Sequence, residues 1–248
     1  MALAVSLAER ALRLVSTVEG SEEEGDFGAI DSKVRLAVIA ALERGETHYT
    51  DRPGILPLRQ QVASSLERTY GVHYDPKTSV TITCGATEAR FVAIQQLLAD
   101  GDVLLCLSGR ERVAAAVSLR GATCREVDAS SYDEVLVDDR VKVLYLTPED
   151  VTPDVSDTWL ERAGREGWWL IVETDEVGGG VHPGTEPRLT DRTVSVGGVG
   201  EDHGLKSWRV GYLASPNMRA GELRSFKQAL TICTTNLSQW AALALMEE

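Results

Sequence analysis

The chain has 248 residues, 43% of them hydrophobic, and can bury a sizeable core as one large α/β domain or two smaller domains. Its 25 basic and 38 acidic side chains give a net charge of −13, which argues against nucleic acid or an anionic membrane as the main partner. No segment approaches the roughly 18 apolar residues of a membrane span, and the four scattered cysteines fit reduced thiols of a cytoplasmic protein rather than disulfides or a zinc site.

The first third of the chain has helical patterns. Apolar residues recur at helical spacing near the start, and residues 1–26 are expected to form an N-terminal arm or helix. Asp31 or Ser32 can cap a following helix that ends at Gly45. Pro57 stands at the start of another helix, which is expected to end near Gly71.

From residue 79 onward, short apolar runs alternate with helical stretches. The predicted strands cover residues 80–83, 103–107, 141–146, 168–172, 194–196 and 209–214. The predicted helices cover residues 87–98, 110–119, 157–167, 218–230 and 237–246. Strands that are apolar almost throughout and separated by helices predict a doubly wound, mainly parallel sheet with helices on both faces. In such sheets ligands bind beyond the carboxyl ends of the strands.

Two of these strand ends carry residues suited to a polar ligand. Gly85-Ala86-Thr87 follows the strand 80–83 and opens a helix, where exposed backbone N–H groups favour an anion. The alternative is a tight turn in which Thr87 is the helix N-cap. Asp175 and Glu176 follow the strand 168–172 and could hold a protonated ring nitrogen or a metal, unless they lie in a solvated turn.

A third strand end carries glycines and then charged residues. Residues 197–200 are Gly-Gly-Val-Gly and could cradle a phosphate, but the dinucleotide-binding fingerprint needs a helix next, and the following segment is predicted as a strand. Glu201, Asp202 and His203 could bind a metal, yet adjacent residues do not share a face, so a solvated loop is favoured. No G-x-S-x-G segment is present, which argues against a serine hydrolase.

Placed end to end, these segments resemble the class I and II aminotransferases, the fold-type-I enzymes that depend on pyridoxal phosphate. The resemblance runs from about Phe27 to the end of the chain and rests mainly on residues 48–59, 83–89, 175–177 and 208–212. It implies that residues 27–248 form the family's large domain and that the small C-terminal domain is absent. It also implies seven cofactor-binding residues: Tyr49, Gly85, Ala86, Thr87, Asp150, Asp175 and Arg209.

The resemblance gives each of these residues a role. The Gly85-Ala86-Thr87 turn and Arg209 match the residues that hold the cofactor phosphate, and Asp175 matches the partner of the pyridine nitrogen. Asp150 stands where the family has an amide near the phenolic oxygen. Tyr49 matches a tyrosine that reaches the phosphate of a neighbouring subunit, which implies a homodimer or a heterodimer with an intact relative.

The catalytic positions depart from the family pattern. The Schiff-base lysine of the family stands eight residues before the phosphate-binding arginine, where this chain has Glu201. Lys206 is only three residues before Arg209 and would need a changed loop to serve instead. The tyrosine expected after Asp-Glu-Val is Gly178, and Arg110 stands at or beside the position of the ring-stacking aromatic residue. Because a carboxylate cannot form an imine, transamination is not expected at this site.

Three functions remain open at this point. The first is a non-catalytic relative of the aminotransferases that serves as a partner or regulatory subunit in the cytoplasm, without nucleic acid or membrane as a partner. The second is a working enzyme on an amino acid or keto acid, with Lys206 or His203 as the base. The third is a nucleotide-binding α/β domain that uses the glycines of residues 197–200.

Overall fold

The computed structural model describes residues 30–128, 138–151, 156–174, 182–200 and 204–247. The helices are α1 (Ser32–Glu43), α2 (Leu56–Tyr70), α3 (Gly85–Leu97), α4 (Arg110–Leu119), α5 (Glu161–Glu166), α6 (Asn217–Thr231) and α7 (Asn236–Met246). The strands are β1 (Val80–Thr83), β2 (Val103–Cys106), β3 (Thr123–Glu126), β4 (Val141–Leu146), β5 (Trp169–Glu173), β6 (Thr193–Gly198) and β7 (Gly211–Ala214).

The strands form one sheet in the order β1-β7-β6-β5-β4-β2-β3. Strands β2 to β6 pair in parallel, whereas β7 runs antiparallel to both of its neighbours, β6 and β1. The prediction of a mainly parallel sheet is confirmed. Because β7 is reversed, its first residue, Gly211, pairs with the last residues of β1 and β6, namely Thr83 and Gly198. The segment that precedes β7 therefore lies at the same edge as the carboxyl ends of the other strands.

Helices cover both faces of the sheet, as the apolar strands predict. Strands β1 and β2 are buried at every position, and β4 is buried except at Lys142. Helices α3, α4 and α6 pack on one face of the sheet. On the other face, α2 and α7 cover β1 and β7, while α5 and Trp159 cover β2, β4 and β5. This layering leaves the strand ends as the place where polar side chains can gather.

Most helix ends follow from local chemistry. Asp31 caps α1 by accepting a hydrogen bond from the backbone of Lys33 at 2.8 Å. Gly71, in a left-handed conformation with φ +69°, ends α2. In contrast, Thr87 is not an N-cap, because α3 already begins at Gly85 and its N-cap is Cys84. Gly85 has φ +77°, which side-chain-bearing residues rarely adopt, and the glycine lets the helix start directly behind the strand.

Three other predictions needed correction. The edge strand β3 was not predicted, because its sequence Thr-Cys-Arg-Glu is polar and partly exposed. Arg209 does not belong to a strand, since its backbone is left-handed and β7 starts two residues later. The helix predicted over residues 157–167 is a π-helical turn, Ser156–Leu160, followed by the short α5.

The expected N-terminal arm, residues 1–26, lies outside the described residues. No helix in the described part of the chain is long and apolar enough to cross a membrane.

Candidate functional site

The start of β7 lies against the start of α3. A Cβ atom added to Gly211 would lie 2.4 Å from the carbonyl carbon of Gly85 and 2.6 Å from the backbone nitrogen of Ala86. It would also lie 2.7 Å from the carbonyl oxygen of Gly197 on β6. All three contacts are with backbone atoms, which cannot rotate away. A glycine at position 211 is therefore required for β7 to reach the helix start.

Replacement of Gly211 by alanine is expected to lower the free energy of unfolding by about 2 to 3 kcal/mol, because the added methyl group forces these backbones apart. Urea unfolding followed by circular dichroism measures the change. The matched control is Gly221→Ala, on α6, where an added Cβ meets nothing within 4 Å. That variant is expected to gain about 0.5 to 1 kcal/mol from helix propensity. Equal effects in the two variants would contradict the close packing at Gly211.

Arg209 places its guanidinium over the helix start. A Cβ at Gly85 would lie 2.9 Å from the Arg209 Cζ and Nη2 atoms, and Nη2 donates to the Cys84 carbonyl oxygen at 3.4 Å. The backbone of Arg209, with φ 55° and ψ 55°, lies in a region that non-glycine residues seldom occupy, and such strain clusters at ligand sites. The guanidinium remains exposed to solvent. A fork-shaped cation beside free helix N–H groups is complementary to a phosphate.

The end of β5 carries a buried ionic cluster that the sequence reasoning missed. The carboxylate of Glu173 has a side-chain exposure of 5%, and each of its oxygens accepts a hydrogen bond from one arginine, Arg90 of α3 or Arg112 of α4. Strand alternation was the available signal, because Glu173 shares a face with Ile171, which packs against α3 and α4. Arg90 also donates to the Thr87 hydroxyl at 3.4 Å. The cluster thus links the turn at Gly85-Ala86-Thr87 to the end of β5.

Tyr145 of β4 completes this cluster. Burial raises the pKa of its hydroxyl far above the ordinary value, and the negative charge of Glu173 raises it further. The hydroxyl therefore keeps its proton across the physiological range and lies near Glu173 as a neutral group.

Asp150 lies in the turn after β4 and caps that turn. Its Oδ2 atom accepts hydrogen bonds from the Thr147 backbone at 2.8 Å, from the Thr147 hydroxyl at 3.0 Å and from the Ser108 hydroxyl at 3.0 Å. Asp150 is buried and holds the loops after β2 and β4 together.

Two other predicted site residues, Lys206 and Tyr49, are exposed at the surface. Lys206 is exposed in the 3₁₀ turn Lys206–Trp208, just before Arg209. Tyr49 is 80% exposed and borders an open cleft with Thr234 and Asn236. Five predicted residues lie outside the described ranges: Asp175, Glu176, Glu201, Asp202 and His203. Among the described residues, no group of three or more His, Cys, Asp or Glu side chains could hold a metal.

Comparison with known proteins finds similarity to aminotransferases. Residues 23–139 match the family model described as aminotransferase class I and II. The methionine aminotransferase of Escherichia coli K12 is 28% identical over 222 residues, covering 80% of this chain and 57% of that protein. The aspartate aminotransferase of Thermotoga maritima is 29% identical over 245 residues, covering 90% of this chain and 64% of that protein. The chain thus spans about three fifths of the length of these relatives.

Solved structures share the fold. The aromatic aminotransferase of Pyrococcus horikoshii OT3 superimposes with a TM-score of 0.77 over 87% of this chain and 63% of that chain, at 22% identity. The chain is therefore similar to the class I and II aminotransferases in sequence over residues 23–139 and in fold over most of its length.

Proposed function

We propose that this protein is a non-catalytic aminotransferase relative that binds a phosphate-bearing ligand of the pyridoxal phosphate type and acts as a partner or regulatory subunit. The observation that supports binding is the Arg209 guanidinium over Gly85, at the N-terminus of a 13-residue helix. The observation that argues against catalysis is Glu201 at the position of the family's lysine.

The phosphate end of the cofactor suits the described residues. The N–H groups of Gly85-Ala86-Thr87 and the guanidinium of Arg209 supply donors and positive charge for a dianion. When bound, pyridoxal phosphate supplies an electron sink for reactions at the α-carbon of an amino acid. We assign Asp175 to the ring nitrogen, because it comes two residues after Glu173, the last residue of β5, and matches the family's aspartate by resemblance.

The aldehyde end of the cofactor does not have a matching amine. Glu201 cannot attach to an aldehyde, and Lys206 would have to shift back by five positions while Arg209 stayed in place. The turn between them is closed by a backbone hydrogen bond from Arg209 to the Lys206 carbonyl at 3.4 Å, and the Trp208 backbone donates to Leu205 at 2.9 Å. These hydrogen bonds would have to break before Lys206 could move relative to Arg209.

The exposure of Tyr49 supports association with a second chain. An 80% exposed tyrosine beside an open cleft matches the family tyrosine that reaches a neighbouring phosphate. We infer that the partner is a second copy of this chain or an intact relative, within the cytoplasm.

The alternative function is an active enzyme that acts on an amino acid or keto acid through Lys206 or His203. It is favoured by the Gly85-Ala86-Thr87 turn and by Arg209, because a working enzyme would also need these residues to hold the phosphate. The two functions differ in whether a lysine becomes attached to the cofactor.

The deciding experiment adds pyridoxal phosphate to the purified protein, reduces with borohydride and maps the modified peptides. We expect bound cofactor that inorganic phosphate displaces, no lysine adduct beyond scattered surface labelling, and no turnover of amino donors. Arg209→Met is expected to weaken binding by about tenfold to a hundredfold, because a charge-assisted fork is lost. Arg188→Met, which removes an exposed arginine paired with Glu186, serves as the control.

One outcome would establish the alternative instead. This outcome is an adduct confined to Lys206, lost together with amino transfer in Lys206→Ala. Binding that survives unchanged in Arg209→Met would contradict the assigned phosphate site.

A further inference from the structure

Lys227 of α6 is a buried cation without a hydrogen-bond partner among the residues that the structure describes. Its residue exposure is 1%. No ion pair joins Lys227 to an acid within the same part of the chain. A buried ammonium normally requires a partner, because its desolvation is otherwise uncompensated.

Helix α6 contacts the first turn of α3 close to Lys227. Helix α6 packs against α3, and Thr231, one helical turn after Lys227, donates to Oε1 of Glu88 at 2.8 Å. The other oxygen of Glu88 accepts from the backbone of Cys84, the α3 N-cap, at 2.6 Å. Residues 227 and 231 share one face of α6, since they are four apart. Lys227 therefore lies on the face of α6 that packs against α3, one helical turn before the Thr231 contact with Glu88.

Electrostatics at Cys84 agree with this placement. Burial raises the pKa of the Cys84 thiol and Glu88 raises it further, while the charge of Lys227 acts in the opposite direction. The Lys227 charge is thus felt at the residue that opens the phosphate turn. Glu88 makes no hydrogen bond to Lys227; its two oxygens accept from the Cys84 backbone and the Thr231 hydroxyl.

We propose that Lys227 is a further binding residue of the anion site at Gly85-Ala86-Thr87, supplying a buried positive charge behind the turn while Arg209 supplies one in front. The ligand class is a phosphate dianion, free or as a phosphate monoester. This inference rests on the proposed function, which places a phosphate at the same turn. Lys227 adds a charge that makes the site selective for a dianion over a monoanion.

The proposal predicts that removing the Lys227 charge stabilises the protein without a ligand and weakens its binding of phosphate. Without a ligand, Lys227 is an uncompensated charge, so Lys227→Met is expected to raise the thermal midpoint by about 3 °C. With inorganic phosphate as the probe, the same variant is expected to show a dissociation constant about tenfold higher, because one nearby charge is lost. A purely structural lysine, acting as the counter-charge of Glu88, would instead stabilise the protein without a ligand.

The experiment measures phosphate binding by isothermal titration calorimetry and melting with and without phosphate, for the unaltered protein, Lys227→Met and Lys227→Gln. The control is Lys142→Met, which removes an exposed lysine of β4. The Arg209→Met variant is included to separate the two proposals. We expect both Lys227 variants to melt higher than the unaltered protein and to bind phosphate more weakly, while the control binds normally.

Each other outcome overturns a defined claim. If the unaltered protein does not bind phosphate, the phosphate site of the proposed function is wrong, and the proposed role of Lys227 is wrong as well. If Arg209→Met loses affinity while both Lys227 variants bind normally, only the role of Lys227 is wrong. If both Lys227 variants melt lower or fail to fold, Lys227 is a structural counter-charge and the inference is wrong.

Discussion

Replacement of Glu173 by leucine is expected to lower the free energy of unfolding by about 3 kcal/mol, because it leaves two arginines beside a buried strand end without their carboxylate. The side chain of Arg90 is only 13% exposed and cannot regain water. Arg112 is 43% exposed and can partly rehydrate, which places the loss at the lower end of the range for broken buried pairs. Urea unfolding at neutral pH measures the effect.

The design of this test separates charge from packing. Glu126→Leu, at the exposed end of β3, is the control and is expected to change stability by less than about 0.5 kcal/mol. The double variant Arg90→Leu with Glu173→Leu should recover part of the loss, because it removes one of the stranded cations along with the carboxylate. A Glu173→Leu variant as stable as the unaltered protein would show that the ionic cluster does not hold α3, α4 and β5 together.

Acidification from pH 7 to pH 4 is expected to cost about 3 kcal/mol of stability through His182 alone. Burial lowers the pKa of His182 from 6.5 to about 4. Its Nδ1 atom accepts from the Gly184 backbone at 3.0 Å, so Nε2 carries the proton and faces the Ser195 hydroxyl at 3.1 Å. A second proton on the ring would break the Gly184 bond.

The direction in which stability changes with pH depends on whether the folded or the unfolded state binds the proton more tightly. Below pH 6.5 the unfolded chain protonates His182, whereas the folded protein resists until about pH 4. The stabilisation is therefore complete above pH 6.5 and is lost as the pH falls to about 4, a span worth roughly 3 kcal/mol. Unfolding free energies measured across this range for the unaltered protein and for His182→Gln should differ in slope.

The carboxylates add their own pH dependence to both proteins, so only the difference between them counts. His73→Gln, at an exposed histidine, is the control and should keep the slope of the unaltered protein. An identical slope in His182→Gln would show that His182 does not resist protonation in the folded state.

The sequence by itself determined the elements whose signals are local. Strands 80–83 and 141–146 and helix 110–119 have the predicted bounds, because a run of apolar and β-branched residues or a preceding glycine decides them within a few residues. The turn at Gly85-Ala86-Thr87 and Arg209 were also singled out in the sequence, although Arg209 was predicted to lie inside the last strand. Each is a short segment with its own chemistry, so neither depends on a distant contact to be identified.

Only the tertiary structure decided which of these segments meet. Arg209 lies over Gly85 because β7 is antiparallel, a choice made by pairing with β1 and β6. Glu173 is a buried anion because its arginines approach from helices 83 and 61 positions away along the chain. Lys227 is buried on a helix that is otherwise rich in polar residues because α6 packs against α3. Burial and charge compensation are sums over neighbours from distant segments, and a linear pattern does not contain them.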